Sequence, residues 1–430
     1  MNSSRPRAVV VDGVRTPFVR SFGAFLDLDA IELGKLAVAA LLDQTGLDRT
    51  LVDAVVWGGV VLPAGAPNVG REIALDLKLP PSAEAYTVTR ACASGLQAVT
   101  NAVAAVERGE ADVIIAGGAD STSNAAITLP PTFVRKVGPV AMSGKSSVQD
   151  YFRLLFELDP VRDLIPSKPA IAERSTGELM GESCERMAER NAISREAQDA
   201  FAAASHHKAA AAIASGRFDR EVAAVTVGRG TRIYRDELVR PDTSVEKLAK
   251  LRPAFRRGGT LTAGNSSALT DGAAAVLIMR EDVARALGFT PKAAFRSWAY
   301  VGVDPADQLL MGPAIAMPKA LERAGMQLGD ASLVDIHEAF AAQVLSVLKM
   351  LGSKAFAEQR LGRSAAVGEV DPGRLNVHGG SVSLGHPFGA TGARMVTTMA
   401  NELALGKAET AVLGICAAGG LGAAAVMEAV

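Results

Sequence analysis

The sequence predicts an α/β fold built from two similar halves, and three observations carry that prediction. First, the apolar runs AVVVDGV, VDAVVWGGVV, DVIIAGGA, AVLIM, LVDIHEAF and TAVLGICAAGG are short and bounded by Gly, Asp or Pro. Runs of that kind read as strands buried on both faces. Second, longer segments lie between them, among them AIELGKLAVAALLDQTG, SGLQAVTNAVAAVERGE and AIAMPKALERAG. These carry Leu, Ala and Val at helical spacing and stop at or next to Gly, so sheets covered by helices follow. Third, the alternation occurs twice. LLDQTG ahead of Leu51-Val52-Asp53 is matched by Leu321-Glu322-Arg323-Ala324-Gly325 ahead of Leu333-Val334-Asp335. Ala93-Ser94-Gly95 leading to Gly109-Glu110-Ala111-Asp112 is matched by Ala390-Thr391-Gly392 leading to Gly406-Lys407-Ala408-Glu409. Two matches in the same order favour an internal duplication.

On this reading residues 1–125 and 258–280 form the first half and 281–430 the second. Between them, residues 126–257 loosen into Pro-containing, charge-rich sequence with helical stretches such as SREAQDAFAAASHHKAAAAIASG, an inserted loop domain that covers something. A chain of 430 residues is long for one core. With 49% hydrophobic and 21% charged residues the profile is that of a compact soluble α/β protein. The net charge of −1 lacks the basic footprint of a nucleic-acid binder. Three scattered cysteines make no disulfide framework, so a reducing compartment, the cytoplasm, is expected. MNSSRPR passes straight into AVVVDGVRTPF, with an Asp where a signal peptide would be apolar, and no run reaches the length of a membrane span.

Candidate chemistry begins with Cys92, which follows the strand-like YTVTR and stands at the start of a helix. Unpaired N–H groups and the helix dipole there are expected to lower its pKa. A small packed residue is the alternative for a lone cysteine. His386 lies in GGSVSLGHPFGATG, a glycine-rich loop entering a helix at the place equivalent, under the repeat, to the Cys92 loop. If the halves pack about a pseudo-dyad, the two loops meet and a base approaches a nucleophile. Cys416 ends a strand in ICAAGGLG, where glycines expose main-chain N–H groups or simply make a turn. Together these residues fit nucleophilic catalysis better than packing. His206 and His207 sit on an Ala-rich helix and read as a solvated face; no His or Cys spacing suits zinc, and no metal is expected. Cys184, in the charged run GESCERMAERN, is expected to be dispensable. QDYFRLLFELDPVRDLI, residues 149–165, reads either as a helix packed on the core or as a surface for a partner subunit or a membrane.

Five ordered motifs, CASG at Cys92, TAGNSSALTDGAAA from Thr262, HEAF from His337, GHPFGATGAR from Gly385 and CAAGGLG from Cys416, give the chain a resemblance to the thiolase family over nearly its whole length. HEAF in place of Asn-Glu-Ala-Phe, with GGSVSLGHPFGATG and CAAGG, is most similar to the β-subunit of the fatty-acid oxidation trifunctional complex. The resemblance implies a thiolase fold: two duplicated βαβαβαββ halves in a five-layered α/β core, with the inserted domain covering the coenzyme A site. It implies a 3-ketoacyl-CoA thiolase, an acetyl-CoA C-acyltransferase of fatty-acid β-oxidation, with coenzyme A as substrate and no cofactor. Cys92 would be the acyl carrier, His386 its base, Cys416 the group that protonates the acetyl carbon, and His337 a support for the enolate oxygen. The N–H groups of Cys92 and Ala418 would hold the tetrahedral intermediate; Ser267 would touch the pantetheine and Phe340 the acyl end. Asn265 and Asp271 read as structural as readily as functional. A homodimer or larger homo-oligomer is implied, with a hydratase/dehydrogenase α-subunit as a further partner. Alternatives are a biosynthetic acetoacetyl-CoA thiolase, a decarboxylating ketoacyl synthase, which Cys416 argues against, and a silent coenzyme-A-binding relative.

Overall fold

The computed structural model describes residues 6–166 and 172–430. In chain order the strands are β1 (Ala8–Arg15), β2 (Val19–Arg20), β3 (Ala54–Gly58), β4 (Glu84–Val88), β5 (Val113–Ser121), β6 (Val225–Val227), β7 (Thr231–Ile233), β8 (Thr270–Arg280), β9 (Ala293–Gly302), β10 (Leu333–Ile336), β11 (Thr410–Ala417) and β12 (Leu421–Ala429). The first half orders its strands β4-β3-β5-β8-β1, with β3 parallel to β4 and β5, and β8 antiparallel to β5 and β1. The second half repeats this as β10-β11-β12-β9, with β10 parallel to β11, and β12 antiparallel to β11 and β9. Its counterpart of β4 is reduced to a single parallel bridge between Leu375 and Val334. The halves join edge to edge through the pairs Val9–Ala294 and Val10–Ala293.

Alternation along each strand sorts the side chains into layers. Val10, Val56 and Ile114 face a cluster shared with the helices Ser94–Glu107 and Phe388–Ala404, which lie side by side between the two half-sheets. Val9, Val55, Trp57 and Ile115 face the other way, onto the helices Ala30–Thr45 and Val69–Asp76. Val412, Ala424 and Val426 pack against Gly312–Ala324 and Ala341–Leu351 on the far side of the second half-sheet. The result is five layers, helix, sheet, helix, sheet, helix. Both faces of each half-sheet are covered, which is why β5 and β11 are buried along their whole length and read as continuous apolar runs. Local signals set the helix ends: the Asp29 carboxylate accepts the N–H groups of Ile31 and Glu32, and Gly46 closes the helix at φ 66°.

The two central helices approach so closely that only glycine fits between them. A Cβ on Gly95 would sit 2.3 Å from the Gly389 carbonyl oxygen, and one on Gly392 would sit 2.3 Å from the Leu96 nitrogen. Contact at their N-terminal ends brings the loops before them together. Residues 125–171 form a separate compact unit, whereas 172–257 belong with the two halves. Within the small unit the helices Pro131–Ala141 and Val148–Glu157 are tied by Lys136, which donates to the Glu157 carbonyl and pairs with Asp163 at 2.7 Å. Phe152 and Phe156 are 62% and 84% exposed and Leu155 is also bare, while Leu154 is buried. Among the described residues no helix is long and apolar enough to cross a membrane.

Candidate functional site

Cys92 lies in the turn between β4 and the helix Ser94–Glu107. That turn is held by the Ser94 hydroxyl, which takes the Arg90 N–H and donates to the Ala91 carbonyl, with Ala91 at φ 45°. The thiol is not activated at rest. Burial pushes it up to about 12, with the Asp120 charge adding to the effect; the N–H groups of Ala418 and of Cys92 itself point at the sulfur and offset this in part. In the free protein, desolvation of the thiolate outweighs these two N–H groups.

His386 stands after Gly385, at φ 103°, and before Pro387. Its N–H donates to Thr270 Oγ1 at 2.7 Å and its Nδ1 meets Thr391 Oγ1 at 2.6 Å. Burial and the nearby Arg394 depress the imidazole to about 3. His337 follows β10, fixed by its N–H to the Gly414 carbonyl at 2.8 Å, and its Nδ1 meets Ser381 Oγ at 2.9 Å. Burial, then His386 and Arg394, hold it well below the ordinary histidine value. The two rings lie 4.1 Å apart, and the Nε2 of each is buried without a partner among the described residues. The Cys92 sulfur and one ring nitrogen of each histidine lie within 4.8 Å of one another. Residues 92, 337 and 386 are too far apart in sequence for any spacing rule to reveal this cluster.

Cys416 ends β11 and is fully buried; burial first, then Cys92 and Cys184, raise its thiol far above the usual value. Cys184 lies, as its charged run suggests, on a helix. The helix Met180–Arg190 buries Gly181, Cys184, Met187 and Ala188, and Cys184 packs in the same cluster as Cys416 and Phe340. After Cys416 the chain turns through Gly419 and Gly420 at φ 81° and 66°, and Gly419 donates its N–H to the Glu173 carboxylate at 2.8 Å. This turn aims the Ala418 N–H at the Cys92 sulfur.

The strand-like stretch ahead of β8 borders the same place. Ser266 bridges Phe340, Ser267 donates its N–H to the Ala339 carbonyl at 3.0 Å, and Leu269 bridges His386. Phe340 is buried edge-on to Phe255 at 5.6 Å. Asn265 and Asp271 serve structure: Asn265 binds Asp199, Thr260 and Thr262, and Asp271 takes the Ser123 N–H and the hydroxyls of Ser123 and Thr122. The solvated-face reading holds for His207 but not for His206, which is buried and accepts the Arg240 N–H at 3.2 Å.

Sequence reasoning missed four residues that shape the site. Ser381 and Thr391 orient the two imidazoles. Glu338, buried, takes Ser205, Asn376 and the Val382 N–H and so fixes the loop that carries Ser381. Asp120, at the end of β5, takes the N–H groups of Gly389, Val60 and Val61 at 2.6, 2.9 and 2.5 Å, tying the His386 loop to the first half. Burial raises Asp120 to about 6. The one available signal was a carboxylate closing an otherwise apolar strand, which demands a partner set of its own.

The arrangement brings together a thiol, two imidazoles with unpartnered nitrogens and a main-chain N–H, with the buried thiol of Cys416 near enough for Cys92 to act on its charge. Models of the thiolase N-terminal and C-terminal domains match residues 8–282 and 289–429. A protein of Aeromonas salmonicida named 3-ketoacyl-CoA thiolase is 46% identical over 424 residues, 98% of this chain and 97% of its own. One of the same name from Photobacterium profundum is 46% identical over 427 residues, with the same coverage. Human mitochondrial 3-ketoacyl-CoA thiolase in complex with CoA superposes with a TM-score of 0.83 at 30% identity, over 99% of this chain and 98% of that one. Acetyl-CoA acetyltransferase of Bacillus anthracis superposes with a TM-score of 0.83 at 31% identity over the whole of both chains.

Proposed function

Since this chain belongs to the thiolase family and is an acyltransferase, we propose that it cleaves 3-oxoacyl-CoA with coenzyme A to acetyl-CoA and a shortened acyl-CoA, through an acyl group carried on Cys92. The observation that carries this reading is the meeting of the Cys92 sulfur with a nitrogen of His386 and of His337, where both Nε2 atoms lack partners. Unpaired buried nitrogens are costly unless a substrate satisfies them.

The thiol and imidazole are both neutral at rest, so attack on the 3-keto carbonyl and proton transfer to His386 Nε2 proceed together rather than from a standing ion pair. That role needs a lone pair on His386 Nε2, with Nδ1–H donating to Thr391. His337 takes the opposite tautomer: the Ser381 hydroxyl donates to Nδ1, and Nε2–H donates to the enolate oxygen as acetyl-CoA departs. Cys416 protonates the enolate carbon and is left as a thiolate, which takes back a proton from the His386 imidazolium. A second coenzyme A, deprotonated by the now neutral His386, then attacks the thioester; the N–H groups of Cys92 and Ala418 hold the tetrahedral oxyanion, and its collapse expels Cys92, which regains the proton from His386. Ser267, beside the Ala339 carbonyl, contacts the pantetheine, and Phe340 lines the acyl end. Coenzyme A enters as a substrate, and no cofactor takes part.

The degradative direction, in fatty-acid β-oxidation, is favoured over acetoacetyl-CoA synthesis because the relatives near half identity carry the 3-ketoacyl name, whereas the acetyltransferase match is at 31%. Within this reading the chain divides into halves at 1–125 with 258–280 and at 281–430, with 126–257 as the insertion. The edge strand β4 pairs with β3 alone and suits antiparallel pairing with a second copy in a homodimer. The bare face of the helix Val148–Glu157 suits a hydratase/dehydrogenase α-subunit or a membrane surface. Three free cysteines suit the cytoplasm. Thiolysis assays with 3-oxoacyl-CoAs of graded length test the proposal: turnover of at least one length is expected, and activity confined to acetoacetyl-CoA would support the biosynthetic alternative.

A further inference from the structure

The cluster of Cys92, His337 and His386 is better equipped than acyl transfer requires. Three ligand-capable atoms, one sulfur and two ring nitrogens, lie within 4.8 Å of one another. Both Nε2 atoms are buried and unpartnered. Each ring is held through its other nitrogen by a hydroxyl, Ser381 for His337 and Thr391 for His386. One nitrogen facing the site and the other anchored to oxygen is the arrangement that metal-binding histidines use. Either hydroxyl can accept from an Nδ1–H, which leaves the lone pair at Nε2. The donor set contains no carboxylate, so it suits a borderline-soft cation and not magnesium or calcium.

We propose that this centre also binds a zinc-class divalent cation through Cys92, His337 and His386, with the fourth position left to solvent, and that occupancy reversibly blocks acyl transfer by capping Cys92. Binding replaces the S–H bond with an S–Zn bond and releases the thiol proton to solvent, with no change in oxidation state. Bonds of about 2.3 Å to sulfur and about 2.0–2.1 Å to nitrogen place tetrahedral ligand atoms roughly 3.3–3.6 Å apart. The cluster therefore contracts by at most about 1.5 Å, within the reach of side-chain rotation. His337 is decisive. Where the thiolase motif carries asparagine, the third ligand is a carboxamide, a poor partner for zinc, so metal sensitivity follows the histidine and not the fold. The inference concerns the centre assigned above but rests on ligand geometry, not on the reaction.

The test uses the full-length protein and Co²⁺ as the spectroscopic stand-in for Zn²⁺. One Co²⁺ per chain is expected, with a thiolate-to-cobalt charge-transfer band in the near ultraviolet and the intense visible bands of a tetrahedral site; added Zn²⁺ removes both. Cys92→Ser should abolish the charge-transfer band. His337→Asn should weaken Zn²⁺ binding by roughly tenfold or more, since losing even an outer partner of a metal ligand costs about that much. Ser381→Ala keeps all three ligands, loosens one, and should weaken binding by a smaller factor. Circular dichroism of each variant establishes folding. A charge-transfer band that survives Cys92→Ser, equal Zn²⁺ affinity in wild type and His337→Asn, or no band at all would each overturn the proposal. A protein that turns over 3-oxoacyl-CoA without giving the band keeps the acyl-transfer reading and loses the metal site; the band without turnover does the reverse.

Discussion

Replacing His337 with alanine separates the chemistry of this site from its architecture. The ring is fully buried, its Nδ1 is bonded to Ser381, and its Nε2 is free for a substrate oxygen. Removing one oxyanion donor costs about 10² to 10³ in kcat, roughly 2.7–4 kcal/mol of transition-state stabilisation. The same change leaves Ser381 Oγ unpaired, a loss of about 1–3 kcal/mol in folding free energy. Against a typical stability of about 5–15 kcal/mol, that still leaves most molecules folded, so the fall in kcat reports chemistry. KM should change by only a few-fold, because the donor acts where charge develops. His337→Asn supplies an amide N–H and should recover part of the loss. Both histidines are held well below neutrality, so neither supplies an acid limb between about pH 6 and 8, and wild type and His337→Asn should run parallel there. Steady-state thiolysis across pH, with circular dichroism as the folding control, decides the matter. Near-normal kcat in His337→Ala, or a limb near neutrality that disappears in His337→Asn, would refute the reasoning.

Other outcomes follow from the same geometry. Cys416→Ser should leave acyl transfer to Cys92 partly intact while severely slowing exchange of the acetyl-CoA α-protons; equal loss of both half-reactions would remove the division of labour. Gly95→Ala should destabilise the chain by about 1–3 kcal/mol and lower turnover, because the new Cβ would lie 2.3 Å from the Gly389 carbonyl and push the two central helices apart; an unchanged melting point would contradict the packing described. Asp120 is raised from 3.8 to about 6 in the fold, so the folded chain binds the extra proton between those values. Its stabilising share is present below pH 3.8 and is lost as pH rises through 6, by about 3 kcal/mol. Melting curves of wild type and Asp120→Asn should therefore diverge less at low pH and shift in favour of the variant on passing to neutrality; a constant difference would show that folding leaves the Asp120 pKa unshifted.

Much of the fold is legible in the sequence because the pattern of burial is written as apolar runs. β5 and β11 are such runs, and the paired motifs around Gly95 and Gly392 mark the two helices that touch at those glycines. The counterpart of β4 in the second half is not legible, since one bridge at Leu375 carries no strand pattern. Side-chain chemistry is less legible than topology. Cys184 hides in a charged run whose buried positions recur at helical spacing, Gly181, Cys184 and Met187 with Ala188. His206 and His207 are neighbours, yet one faces the core and the other solvent, as adjacent helical positions must. The Cys92 thiol shows the same limit, because the helix start is visible in sequence while the Ala418 N–H and the Asp120 charge that act on its sulfur come from residues distant along the chain. The hydroxyls of Ser381 and Thr391 are likewise unremarkable until the rings they orient are seen to converge.

The central claim is that Cys92 carries the acyl group, and its most direct measurement is mass spectrometry of the protein after incubation with a 3-oxoacyl-CoA in the absence of free coenzyme A. The account predicts one added acyl mass on the peptide containing Cys92, absent in Cys92→Ser and discharged when coenzyme A is supplied. A label found on Cys416 or Cys184 instead, or retained in Cys92→Ser, would contradict it.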